Sequence, residues 1–177
     1  YTGRLNRRYG LELLLQAMKE LHDPDIELWL CGSGEMEEEI RAYAAQDPRI
    51  RFFGFLPHEE AVQLQKKATV LVNPRTNQGE YTKYSFPSKT MEYMASGRPV
   101  MMFRLDGIPR EYDPFLTYIP AESAASIRDT VESLRKLSPS ELDAMGARGR
   151  EFVLKNKNRN VQMRRVLDFI HKEQSDA

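Results

Sequence analysis

Lys89 and Glu92 carry the chemistry most plainly written in this sequence. They lie in the run Ser85-Phe86-Pro87-Ser88-Lys89-Thr90-Met91-Glu92-Tyr93-Met94-Ala95-Ser96-Gly97-Arg98-Pro99-Val100. Pro87 suits the first turn of a helix, where its missing N–H would have no partner. The N–H groups of Ser88 and Lys89 are then free to meet an anion, and the lysine ammonium adds positive charge at the same end. Glu92 follows Lys89 at i+3 on the same helix face, where a carboxylate can accept from paired hydroxyls such as those of a ribose. An anion site with a hydroxyl acceptor one turn away suits a nucleoside diphosphate. Gly97 closes the helix, and Pro99-Val100-Met101-Met102-Phe103 resumes as a buried strand.

The flanking sequence supplies elements able to hold such a site. Leu11, Leu14, Leu15, Met18 and Leu21 follow helical spacing, which gives way at His22-Asp23-Pro24 before a strand over Ile26–Cys31. An acidic helix is expected from Glu35 to about Ala45, then a strand Ile50–Gly54, a helix His58–Lys67 and a strand Thr69–Val72. Such alternation predicts an α/β fold, a Rossmann-like doubly wound parallel sheet with helices on both faces, whose ligands bind at the carboxyl ends of the strands. Between Asn73 and Phe86 runs a polar loop containing Asn77, Gly79 and Thr82, too long for a simple connector and expected to be mobile without ligand. Beyond Gly107-Ile108-Pro109, a short edge strand near Tyr118-Ile119 and three helices finish the chain. Ser138-Pro139-Ser140-Glu141 is a capping box, and Met163, Val166, Leu167 and Ile170 give the last helix one apolar face.

Composition narrows the function class. The 177 residues suffice for one domain with a sizeable core, so residues 1–177 read as a single unit. Lys+Arg and Asp+Glu both number 26, and a net charge of zero argues against a general nucleic-acid binder. The single cysteine, Cys31, lies in the apolar run Leu28-Trp29-Leu30-Cys31 and reads as a buried thiol. The three histidines are scattered, so no metal site is expected. No apolar run is long enough to cross a bilayer, and a cytoplasmic location is expected, with contact at the inner face of the membrane through a missing half. The start on Tyr1-Thr2-Gly3 reads as the end of a first strand, hence as a fragment without its N-terminal half.

Taken in order, Tyr1-Thr2-Gly3-Arg4-Leu5, Leu30-Cys31-Gly32-Ser33-Gly34, Phe52-Phe53-Gly54-Phe55, Val70-Leu71-Val72-Asn73-Pro74 and the Pro-Ser-Lys to Pro-Val block resemble the C-terminal, donor-binding domain of retaining GT-B glycosyltransferases, most closely family 4. The resemblance covers nearly the whole chain. It implies that Gly3 and Arg4 reach the donor diphosphate, where a guanidinium fork suits phosphate oxygens. Gly32, Ser33 and Gly34 would line the nucleotide pocket by backbone approach, although a tight strand-to-helix turn explains them equally. With Glu37 at the third glycine position and Glu35, Glu37, Glu38 and Glu39 at the helix start, this loop is a poor dinucleotide cradle. Phe55 and Leu56 would hold the base. Ser88 and Lys89 would meet the diphosphate, and Glu92 the ribose.

Two departures from the family pattern stand out. Tyr9 occupies the place of a usual lysine, so Lys89 is expected to supply that charge from across the cleft, with Arg7 or Arg8 contributing or merely solvated. The family also has two glutamates separated by seven residues; Glu92 fits the second, but Tyr84 stands at the first, so that Glu80 from the loop or Tyr84 would face the sugar, a merely packed tyrosine being the equal alternative. The resemblance implies transfer of a sugar from a nucleoside-diphosphate sugar, with retention and without a cofactor, to a carbohydrate or lipid-linked acceptor held by a missing N-terminal domain. Bacterial surface-polysaccharide synthesis is the implied setting, and the isolated domain is expected to be inactive. The alternatives are a non-catalytic nucleotide-sugar-binding or scaffolding domain, or a GT-B epimerase.

Overall fold

A computed structural model describes residues 1–77 and 80–175. The chain runs α1 (Leu11–Glu20), β1 (Leu28–Leu30), α2 (Glu37–Gln46), β2 (Ile50–Phe52), α3 (His58–Lys67), β3 (Leu71–Asn73), α4 (Ser88–Ser96), β4 (Val100–Phe103), β5 (Thr117–Ile119), α5 (Ala124–Arg135), α6 (Pro139–Asn156) and α7 (Arg159–Ser175). Every strand pairing is parallel. β1 pairs with β2, with Trp29 opposite Arg51, and β3-β4-β5 form a second sheet, with Val72 opposite Met101 and Met102 opposite Tyr118. The expected alternation is present, with helices on both faces, but the sheet is divided in two.

The division has a local geometry. Tyr1 to Gly3 run parallel to the end of β1: the Tyr1 amine donates to Trp29 O at 2.7 Å, Cys31 N to Tyr1 O at 2.9 Å and Gly3 N to Cys31 O at 2.8 Å. Below Tyr1 no strand lies between β1 and β3 among the described residues. Instead a cavity of about 420 Å³ opens there, bordered by Leu28, Val70, Val72 and Met101. The strands are also shorter than the apolar runs suggest, because each ladder extends only as far as its neighbour does.

Helix ends follow local chemistry. Arg49 finishes α1 from outside it, its guanidinium donating to Met18 O at 2.9 Å and Leu21 O at 2.5 Å while Asp47 holds it in place. These carbonyls have no partner within the helix, and a cation suits the negative end of the dipole. Gly97 ends α4 in the left-handed region at φ +83°. Ser138 and Glu141 form the expected capping box on α6. Gly146 of α6 then packs on Gly97, where a β-carbon would stand 2.0 Å from its carbonyl oxygen.

Met163, Val166, Leu167 and Ile170 do define an apolar face of α7, but all four are exposed together with Phe169. The helix is amphipathic, with its apolar face open to solvent. The loop before α4 is tied at its start, Asn77 donating to Arg104 O at 2.8 Å and Thr82 Oγ1 to Asn77 O at 3.2 Å. It then turns through a 3₁₀ helix at Glu80–Tyr84, while Gly79 and the side chain of Glu80 lie outside the described residues. No helix among the described residues is long and apolar enough to cross a membrane.

Candidate active site

The site begins with a buried polar knot that fixes the first loop to α4. Thr2 N donates to the Tyr93 hydroxyl at 2.8 Å, and that hydroxyl donates to Thr2 O at 3.0 Å. Tyr93 is fully buried, and burial raises its phenol above the ordinary range, so it keeps the proton it donates. The next residue, Gly3, adopts φ +142°, and its α-carbon lies against the Lys89 side chain. A β-carbon there would stand 2.6 Å from Lys89 Cε and 2.8 Å from Nζ, so glycine makes room for the ammonium.

Lys89 is half-buried, with Nζ 5.4 Å from the centre of the Tyr93 ring. Burial lowers its pKa below the ordinary lysine value, while the nearby Glu92 and Cys31 oppose that shift. The ammonium is thus held by geometry and a ring face, a state that an arriving anion would stabilise. α4 begins at Ser88 behind Pro87 with no side-chain cap; the Thr90 N–H donates to Pro87 O at 2.9 Å, which leaves the N–H groups of Ser88 and Lys89 open beside that charge. Ser88 is exposed, and so is Arg4, which has no acidic partner at ion-pair distance among the described residues.

Glu92 lies one turn along the same helix. Its Oε1 accepts from Gln65 Nε2 at 2.6 Å, and the same nitrogen donates to Thr2 Oγ1 at 2.9 Å. Gln65 is 1 % exposed and sits on α3. Nothing in the Pro-Ser-Lys run points to it. The available signal is a polar residue four positions after Ala61 and three before Ala68, on the face of α3 that turns inward.

The glycine loop after β1 is a crossing point. Gly32, at φ +140°, passes so close to the first loop that a β-carbon would stand 1.7 Å from Gly3 O. Its N–H donates to Gly54 O at 2.8 Å, and the Gly34 N–H donates to Glu37 Oε1 at 3.0 Å. Two of the three N–H groups in Gly32-Ser33-Gly34 are therefore committed within the protein. Leu5 N donates to Ser33 O at 2.9 Å, which binds the two loops into one floor. Beyond β2, Phe55 is 75 % exposed at the rim, with Leu56 half-buried beside it.

Other predicted residues stand apart. Arg7 forms ion pairs with Glu12 and Glu39, the latter at 2.6 Å, so its charge is already matched. Arg8 lies over the Tyr9 ring. Tyr84 is 89 % exposed and belongs to no core. Gly3, Lys89 and Glu92 are thus brought together by Thr2, Gln65 and Tyr93, while no hydrogen bond or ring contact among the described residues draws Tyr84 into that group.

A family model described as glycosyl transferases group 1 matches residues 1–136. The chain belongs to the group 1 glycosyltransferases. It is 25 % identical over 176 residues to WcaL of Escherichia coli K12, a glycosyltransferase named for colanic acid biosynthesis, covering 96 % of this chain and 43 % of that protein. It is 34 % identical over 120 residues to a D-inositol 3-phosphate glycosyltransferase of Corynebacterium diphtheriae, covering 62 % of this chain and 27 % of that one. The chain thus spans less than half the length of these curated relatives.

Among solved structures, sucrose-phosphate synthase of Thermosynechococcus elongatus superposes with a TM-score of 0.76 at 22 % identity, covering 99 % of this chain and 45 % of that chain. Anabaena HepE in complex with UDP superposes with a TM-score of 0.65 at 16 % identity, covering 99 % and 48 %. At these identities the likeness establishes the fold, which is the GT-B glycosyltransferase domain that the sequence resembles.

Proposed function

We propose that this group 1 glycosyltransferase chain binds the activated sugar donor of a retaining enzyme, which moves a sugar from a nucleoside diphosphate to a carbohydrate or lipid-linked acceptor in bacterial surface-polysaccharide synthesis. The observation that carries this reading is the Lys89 ammonium seated against Gly3 at the uncapped start of α4, one turn from Glu92. When the bond between the anomeric carbon and the diphosphate breaks, negative charge grows on the departing phosphate oxygens. Lys89, Arg4 and the N–H groups at Ser88 supply positive charge for those oxygens, and Glu92 accepts from the ribose hydroxyls. Phe55 and Leu56 form the edge on which the base rests. UDP in the similarly folded HepE and the naming of WcaL for a surface polysaccharide support the donor class and the setting.

In this reading the 177 residues are one donor-binding domain, and the acceptor is held by a further, N-terminal domain of a longer enzyme. The domain alone then binds nucleotide but transfers no sugar. Calorimetric titration with UDP, GDP, ADP and TDP, alongside Lys89→Ala and Glu92→Ala, tests the site. Selective binding lost in both variants is the expected result. Unaltered nucleotide affinity in both variants would remove the donor site from this cleft.

A further inference from the structure

Gln65 belongs to none of the motifs that mark the donor site, yet it touches two of its parts at once. Its Nε2 carries two hydrogens; one goes to Thr2 Oγ1 at 2.9 Å and the other to Glu92 Oε1 at 2.6 Å. Turning the amide over would set its oxygen against the Glu92 carboxylate, so the chemistry of the pair fixes the nitrogen toward Glu92. The cost is visible on the other side of the same group: Gln65 Oε1 is buried with no hydrogen-bond partner among the described residues. A side chain that faces Glu92 at the expense of its own carbonyl is placed there by the contact it makes.

We infer that Gln65 is a positioning residue for donor recognition, holding one oxygen of Glu92 so that the other is presented to the ribose hydroxyls. The inference rests on the donor-site reading above. A glutamate side chain has three rotatable bonds, and a partly exposed carboxylate otherwise samples several rotamers before it accepts from a ligand. Gln65 removes that freedom. It also reaches Thr2, which is fastened to Tyr93 and precedes Gly3, the residue on which Lys89 rests. The acceptor for the ribose and the cation for the diphosphate are therefore set in fixed relation through α3, across 27 residues of sequence from Gln65 to Glu92.

The test compares UDP with 2′,3′-dideoxy-UDP, which lacks both ribose hydroxyls, by calorimetry on the wild type, Gln65→Leu, Gln65→Glu, Glu92→Ala and the Gln65→Leu/Glu92→Ala double variant. The wild type is expected to prefer UDP by roughly ten- to a hundredfold, the scale of hydrogen bonds to a charged group. Gln65→Leu should lose most of that preference while its affinity for dideoxy-UDP stays within about twofold, because the diphosphate contacts are retained. The isosteric Gln65→Glu, which replaces the donor with a like charge and leaves no cavity, should lose the preference at neutral pH as well. In the Glu92→Ala background, Gln65→Leu should change nothing further. Equal weakening of both ligands, or full preference kept in both Gln65 variants, overturns the inference. Preference kept in Glu92→Ala instead overturns the ribose role of Glu92, a separate failure.

Discussion

Lys89 and Gly3 are in contact so close that a β-carbon on Gly3 would overlap the lysine's last two atoms, at 2.6 Å from Cε and 2.8 Å from Nζ. Gly3→Ala therefore acts twice. A side chain at φ +142° costs about 1–3 kcal/mol of stability, visible as a fall in Tm of about 2–4 °C per kcal/mol for a chain of this size. The clash itself falls on the flexible end of a lysine, which moves aside and carries its charge off the phosphate position. UDP affinity should fall at least about tenfold, the scale of one lost charge-assisted hydrogen bond. A variant that binds UDP as tightly as the wild type would separate Lys89 from the diphosphate.

The depressed pKa of Lys89 has a sign that calorimetry can read. Burial favours its neutral form in the free protein, so some Lys89 is unprotonated at alkaline pH below the ordinary lysine range. An arriving diphosphate favours the charged form, raises the pKa and draws in a proton. The binding heat for UDP near pH 9 should then depend on the ionisation heat of the buffer, with net proton uptake that disappears in Lys89→Met. Because the pKa is lowered in the folded state, Lys89 adds stability above its unfolded value that is lost as pH falls through the folded one. Proton release, or uptake unchanged in Lys89→Met, would contradict this account.

Gly32 and Gly54 make a controlled pair, since both have positive φ and a hydrogen bond joins them. At Gly32 a β-carbon meets the carbonyl of Gly3 at 1.7 Å, and backbone on both sides prevents relief. At Gly54 a β-carbon meets nothing within 4 Å. Gly54→Ala should cost only the conformational strain, about 1–2 kcal/mol. Gly32→Ala should cost at least about 4 kcal/mol, in the range that marks a specific steric failure, or prevent folding. Urea unfolding of the two variants measures the gap, and equal costs would show that the loop crossing can open.

What the sequence discloses here divides by range. Helix α3 over His58–Lys67, the Gly97 stop and the Ser138–Glu141 capping box follow from neighbouring residues and are legible in full. Lys89 and Glu92 are legible for the same reason, being one turn apart on one helix. The strand Ile26–Cys31 contracts to Leu28–Leu30 because a ladder depends on a partner that periodicity does not name. The same limit explains α7, whose apolar spacing is real but discloses no partner. Gln65 is invisible for the complementary reason: a glutamine on a helix reads as solvated until α4 and the first loop are seen to close over it.

Where the chain is cut to begin at Tyr1, its amine takes the place of a backbone amide in a parallel ladder and gives that fragment a pH dependence that a longer chain, with a peptide N–H there, does not have. The amine donates to Trp29 O, and burial is the chief cause that brings its pKa down to about 5, with Lys89 adding to the fall and Cys31 opposing it. In the unfolded chain the same amine titrates near 8, so between about pH 5 and pH 8 the unfolded state binds the extra proton and stability rises with pH. The full effect across that window is roughly 4 kcal/mol, from about 1.4 kcal/mol per pH unit. Urea unfolding at pH 5.5, 7.0 and 8.5 should show the rise in a chain beginning at Tyr1. Acetylation of that amine supplies an amide with no charge to bury and should flatten the dependence through this window. A rise of the same size in the acetylated chain would assign it to other groups.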